Sequence, residues 1–189
     1  QITRTEDADG TRGVDLVDEA GTTHHADAVV IATHADDALG LRADPTAEEK
    51  RVLGSFEYSR NETVLHRDGS MLPAAEAARS AWNYRMDTCA ERSDVTAVTY
   101  WMNRLQGIES DRPFLVTLNA TDRIDPDSVH ATMHYTHPIY TPISVAAQAG
   151  LPGLFTDTTV YAGAYHGWGF HEDGCRSGVE AAQALGVSW

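Results

Sequence analysis

Between residues 59 and 135 the chain carries five short runs, SRNETVLH, RSAWNYRM, VTAVTYWMN, PFLVTLNA and SVHATMHY, rich in β-branched and aromatic residues and joined by polar turns. That pattern specifies a largely antiparallel sheet. Alternation along a strand puts Tyr100 on one face and Trp101 on the other, so at most some of Trp82, Tyr84, Tyr100 and Trp101 can line a pocket. A core role is the default for each. Asn83 and Asn103, beside these aromatics, either orient a substrate or cap a strand end.

The flanks differ. Residues 1–5, 13–17 and 26–32 are short apolar or alternating runs separated by the turn-formers DADG and DEAG, which reads as a β-meander. The third, ADAVVIAT, is almost wholly apolar and is expected to be a strand covered on both faces. HADDALGL then reads as a short helix. DPTAEEKRVLGSF reads as another, with Asp44 or Thr46 as cap and Glu48 and Glu49 in the first turn. After the β-rich block, TPISVAAQAGL suits a helix capped by Thr141 with Pro142 at its first position. GLFTDTTVYAGAY runs into a strand, and EDGCRSGVEAAQALG presents Val179, Ala182 and Leu185 on one helix face.

Charge excludes some partners. With 14 basic and 28 acidic residues the net charge is −14, which repels nucleic acid and anionic lipid. The acids are scattered, as on a solvated surface. Cys89 and Cys175 form neither a disulfide framework nor a CxxC pair, which suits a reducing, cytoplasmic setting. No apolar run reaches the length of a membrane span. His130, His134 and His137 give H-x₃-H-x₂-H, but on a strand the third points away from the first two. Structural or surface histidines are expected there, and no metal site. The chain opens without Met and in mid-phrase, as a piece of a longer protein would.

The closing strand and helix are joined by a crowded loop containing Gly163, Gly167, Gly169 and Gly174. A helix start exposes unpaired N–H groups and a partial positive charge. Glycine lets backbone approach a ligand closely, and Trp168 and Phe170 could wall a flat one. The plain alternative is a tight strand-to-helix connection that happens to use glycine. Two sharper motifs fail: Glu172 stands where the third glycine of GxGxxG belongs, and Cys175 where a zincin has its second His.

YAGAYHGWGFHEDGCRSGVEAAQALG resembles the C-terminal flavin-binding motif of the flavin-dependent amine oxidase and phytoene desaturase superfamily. It is closer still to the branch of NAD/FAD-binding oxidoreductases that is similar to the oxidase-like domain fused to plant cyclopropane fatty-acid synthases. VLHRDGSMLP, AWNY, VTYWMNRLQ, VTLNA and HPIY resemble that branch in the same order, so the resemblance covers nearly the whole chain. It implies FAD as cofactor, held by Ala32 and Thr33 after the second conserved strand and by Gly163, Ala164, Gly169, Phe170, His171, Glu172, Asp173 and Gly174. Substrate contacts are expected from Trp82, Asn83, Tyr84, Trp101 and Asn103. Aligned on Ser177 and Gly178, Glu172 matches the superfamily's Glu, whereas Asp173 and Gly174 replace its usual Gly and Ala, and Ala164 stands where an acid is common. Backbone contacts are therefore expected over side-chain ones.

The implied fold is α+β, or mixed α/β: part of a three-layer flavin domain at residues 1–42 and 153–189, enclosing a substrate-domain part with a mainly antiparallel sheet at residues 43–152. The superfamily's glycine fingerprint is absent here. An N-terminal half carrying it is the expected partner, and FAD is expected in the full-length protein rather than in this piece, which alone would be inactive. The implied activity is that of an oxidoreductase passing hydride from a small or lipid-like substrate to flavin. The one lysine, Lys50, lies in AEEKR on an exposed-looking helix, so the lysine many amine oxidases hold near the flavin is missing, and an acyl or other lipid-like substrate is preferred to an amine. The rival from another class is a non-catalytic scaffold or partner subunit keeping the fold. His171 either fixes the loop by a hydrogen bond or shuttles a proton, and the first is preferred because no partner for a relay is identifiable.

Overall fold

The computed structural model describes residues 1–86 and 97–188, so Cys89 and the start of VTAVTYWMN lie outside the described residues. The chain forms two compact units, residues 1–58 with 138–189 and residues 59–137.

In the first unit β1 (Ile2–Glu6), β2 (Arg12–Val17) and β3 (Thr23–Ala26) form an antiparallel meander, with Ile2 opposite Leu16 and Val14 opposite Ala26. The sequence placed the third meander strand at 26–32, and the structure corrects this. β3 is the polar THHA, whose His24 and His25 pair with Asp18 at 3.0 Å and Asp15 at 2.6 Å. The apolar β4 (Val29–Ile31) instead pairs in parallel with β10 (Thr159–Tyr161). Nor is β4 covered on both faces: Ile31 is buried while Val30 is 44% exposed.

Helix α1 (Ala35–Leu41) follows β4, and α2 (Ala47–Leu53) begins at a reciprocal cap. The Thr46 hydroxyl accepts the Glu49 N–H at 3.1 Å, and the Glu49 carboxylate accepts the Thr46 N–H at 2.8 Å. Helix α4 (Pro142–Ala147) starts on Thr141 and tightens into 3₁₀ turns through Leu154. Val52, Leu53, Ala147 and Leu151 share one core with Ile2, Val14, Ile31 and Tyr161. Residues 43–58 and 138–152 therefore pack in the first unit, because their apolar faces close its core rather than that of the β-rich block.

Helix α5 (His171–Ala184) covers β10 through Ala181, which packs with Val160 and Ala162. The innermost line of α5 is Ser177, Ala181 and partly buried Leu185, at spacings of four; Val179 and Ala182 stand at its margins. A serine at one of its two buried positions disguised that face.

The second unit is built on one five-stranded sheet, ordered β6–β7–β8–β5–β9. These are β5 (Glu57–His66), β6 (Trp82–Arg85), β7 (Ala97–Trp101), β8 (Leu115–Leu118) and β9 (Val129–Ile139), and every run expected to be a strand contributes one. VTAVTYWMN ends as a strand at Trp101 and continues as α3 (Met102–Gln106), so Asn103 lies on a helix. One sheet face is covered by Met71, Leu72, Ala120 and Ile124 packing on Val64 and Leu115. A polar ladder runs through it: buried His66 accepts the Asp68 N–H at Nδ1 (3.1 Å) and so donates from Nε2 to Thr117 Oγ1 (2.8 Å), which is bonded to Thr99 Oγ1 (2.9 Å). The opposite face carries Trp82, Tyr84 and Tyr100, with Trp82 directly across from Tyr100 and its ring 6.4 Å from that of Tyr84.

Candidate functional site

Parallel strands β4 and β10 end side by side, Ile31 level with Tyr161. In open α/β sheets ligands sit beyond such carboxyl ends, where helices begin. Ala32 and Thr33 follow β4 and are exposed; Gly163 to Phe170 follow β10 and lead into α5. The two segments meet: a Cβ on Gly163 would stand 3.2 Å from the Thr33 carbonyl oxygen and run into the Tyr165 ring. The structure thus brings together the residues expected around a cofactor within one unit.

The loop is held by three side chains. The Ser177 hydroxyl accepts the Gly163 N–H at 2.9 Å and donates to the Gly174 carbonyl at 2.8 Å, fixing the strand end against the helix. Asp173 accepts the N–H groups of Trp168 (2.9 Å) and Phe170 (3.1 Å), folding the tip back on the helix start, and Arg176 donates to it at 3.0 Å. Gln148 donates to the carbonyls of Tyr165 (3.1 Å) and Gly167 (2.6 Å). Gly169 has φ +86°, and a Cβ there would lie 2.7 Å from the Tyr140 hydroxyl. A Cβ on Gly167 would strike the Asp173 carboxylate. Gly174 needs no such freedom: its Cβ would find its nearest neighbour at 3.9 Å.

Asp173, expected at the cofactor, is thus engaged within the loop. His171 and Glu172 are exposed at the helix start. The first helical bonds come from Asp173 and Gly174 to the Phe170 carbonyl, so the N–H groups of His171 and Glu172 lie ahead of the ladder. Trp168 (62% exposed) and Phe170 (69% exposed) flank this opening.

Beside the loop, where the Tyr140 ring lies 5.6 Å from that of Trp168 and the Tyr165 ring adjoins Gly163, Tyr140 Oη, Tyr165 Oη and His166 Nε2 are buried without a partner among the described residues. Burial pushes both phenols upward and, helped by Arg176, pushes His166 down to about 4, so this imidazole is neutral. Tyr58, its ring stacked on His34 at 4.5 Å and its hydroxyl accepting the Ala35 N–H at 2.9 Å, is pushed up to about 12, chiefly by burial. Buried hydroxyls without partners cost free energy unless something answers them. Together with the open helix start they suit a ligand rich in hydrogen-bonding atoms, such as a flavin. For its adenosine end the chain offers no GxGxxG.

The expected substrate residues are not gathered. Trp82 and Tyr84 are exposed near the edge of one sheet face, whereas Trp101 packs on the other with Val64 and Leu115. Asn83 is buried, its amide bonded to Ser80 N–H, Ser80 O and Thr99 O. Asn103 accepts the Phe114 N–H at 2.6 Å and donates to Arg112 O at 3.0 Å. Both asparagines pin backbone. Sequence reasoning missed Tyr140, Gln148, Tyr165, His166 and Ser177. Only the density of the motif hinted at the last three. His134 lies 3.5 Å from Glu62 and His137 2.9 Å from Asn61, each in a separate contact. Among the described residues His34, Asp36 and Asp37 have metal-ligand spacing, but both carboxylates are exposed and the ring is stacked.

No protein-family model and no curated protein matches the chain. Solved structures do. A conjugated-linoleic-acid-producing fatty acid isomerase from P. acnes superposes with a TM-score of 0.62 over 99% of this chain at 14% identity. Reduced UDP-galactopyranose mutase does so with a TM-score of 0.53 over 96% at 13% identity. These likenesses show a shared α+β fold. The chain spans a little under half of either, 47% and 45%.

Proposed function

We propose that the chain is part of an FAD-dependent oxidoreductase and supplies one wall of its flavin site, with a complementary N-terminal half supplying the dinucleotide fingerprint. The observation that carries this is the junction of β4, β10 and α5: two parallel strand ends and an open helix start beside buried, unanswered hydroxyls. When bound, the flavin supplies the hydride acceptor. The N–H groups of His171 and Glu172 and the hydroxyls of Tyr140 and Tyr165 would hold it by hydrogen bonds, and Trp168 and Phe170 would shield the opening from water. Ser177, Asp173 and Gln148 hold this geometry. Trp82, Tyr84 and Tyr100 offer an apolar surface suited to an acyl or other lipid-like substrate, a choice also supported by the likeness to a fatty acid isomerase. His171 is exposed and its ring bonds to no other described residue, which supports neither the loop-fixing hydrogen bond preferred for it nor a proton relay. One observation favours a scaffold instead: Gly163, Gly167 and Gly169 are each explained by the loop's own packing.

The test is flavin content. The chain alone should emerge from gel filtration colourless, while co-expression with the complementary half should give a yellow complex with a flavin absorption band. Tyr140→Phe with Tyr165→Phe should weaken flavin retention in that complex at least about tenfold, or 1.4 kcal/mol. A colourless complex, or unchanged retention in the double variant, would leave the scaffold reading standing.

A further inference from the structure

A cavity beside edge strand β6 is separate from the proposed flavin wall, sharing only Tyr84 with the apolar surface named above. It measures about 430 Å³, within the range of small-ligand sites, and lies wholly in the second unit. Met71, Leu72, Pro73, Tyr84, Arg85 and Met86 line most of it.

Register decides which side chains of β6 look into it. Asn83 stands opposite Thr99 and Arg85 opposite Ala97, so both project to the covered face, where Ala97 packs on the cluster containing Met71 and Leu72. The Asn83 amide is engaged by backbone. Arg85 is not: no hydrogen bond or ion pair joins its guanidinium to another described residue, in a chain with 28 acids to 14 bases. Two arginines of this unit do find backbone partners, Arg79 at Pro73 O and Arg104 at Arg79 O, whereas Arg85 is the arginine that lines the cavity. A lone guanidinium beside aliphatic and thioether walls has a specific complement. Its fork accepts a planar carboxylate through two parallel N–H···O bonds, and methionines adapt to a flexible alkyl chain.

We infer that this cavity binds a medium-chain carboxylate, with the head group on Arg85 and the tail along Met71, Leu72 and Met86. Charge complementarity at Arg85 selects a fatty acid anion over a neutral lipid. The site is independent of the flavin.

Titration calorimetry of this chain with decanoate, and with decanol as the uncharged control, tests it. Decanoate should bind saturably with one site per chain. Arg85→Gln should weaken that binding at least about tenfold, near 1.4 kcal/mol, and leave decanol unchanged. Ala74→Trp, which adds bulk to the cavity wall, should weaken both ligands. Far-UV circular dichroism should show both variants folded, since residues 74 and 85 are exposed. Absence of saturable decanoate binding would overturn the inference. So would wild-type affinity in Arg85→Gln, equal loss of decanol in that variant, or decanoate binding untouched by Ala74→Trp.

Discussion

Tyr161→Phe probes the contact that ties the strand leading into the loop to the rest of the first unit. Tyr161 ends β10 and is fully buried, and its hydroxyl donates to Glu49, itself 1% exposed. The same carboxylate takes Arg4 from β1 and the Thr46 N–H from the start of α2. Burial alone would raise the Glu49 pKa. Hydrogen bonds from Tyr161, Thr46 and Arg4 outweigh it and hold the group below its ordinary value of 4.5. Phenylalanine keeps the ring and removes one donor from a charged acceptor, a loss of about 1.5–3 kcal/mol. For a chain of this size each kcal/mol moves the melting temperature about 2–4 °C, so a fall of roughly 3–12 °C at pH 7 is expected. The sign with pH follows from linkage. A carboxyl whose folded value is depressed stabilises the fold above its unfolded value, and that contribution is lost as pH falls through the folded value. In the variant the carboxylate is held less tightly, so the gap from wild type should narrow between pH 7 and pH 4. Thermal melts followed by far-UV circular dichroism at both pH values measure this. A gap below about 1 °C at pH 7, or one of equal size at both, would refute the role assigned to this hydroxyl.

Gly169→Ala should cost about 1–2 kcal/mol from its left-handed backbone alone, before Tyr140 moves. Gly174→Ala should be neutral or stabilise by up to about 1 kcal/mol, because it sits in helix with open space, and urea midpoints of the two variants separate them. Ser177→Ala leaves the Gly163 N–H without its acceptor and should lower stability by about 1–3 kcal/mol, with faster amide exchange at Gly163. His66 is held neutral by burial, its pKa below the ordinary 6.5, so the unfolded chain binds more protons there and stability should fall as pH drops from 7 to 5. Urea midpoints of His66→Gln against pH should be flatter over that interval than those of wild type. In a flavin-loaded complex His171→Gln should slow flavin reduction less than about threefold, and a loss near a thousandfold with altered pH dependence would make it an acid–base group.

The sheet of the second unit was legible because period-two alternation and polar turns are local signals, and each of its strands can be recognised without knowing its neighbours. Caps were legible for the same reason: Thr46 and Thr141 act within three residues of themselves. What sequence hid was the choice of partner. ADAVVIAT reads as the next strand of a meander, yet β4 joins β10, about 130 residues later, and the meander closes on a polar strand instead. Nothing local distinguishes those outcomes, because pairing is decided by which core the apolar face completes.

Polar residues were the harder case, since their type suggests surface while their placement decides otherwise. Glu49 looked like an ordinary first-turn acid on an exposed helix. Its position three residues after Thr46 was the clue, because a capping box turns the N3 carboxylate back toward the helix start. From there Arg4 and Tyr161 can reach it only through tertiary structure. Asp173 repeats the logic at the candidate site. Its place in the motif suggested a cofactor contact, but at N3 of α5 its carboxylate gathers the N–H groups of Trp168 and Phe170. A residue can therefore belong to a binding motif by shaping the loop that binds. At this junction the N–H groups of His171 and Glu172 stay open because Asp173 closes the ones beside them.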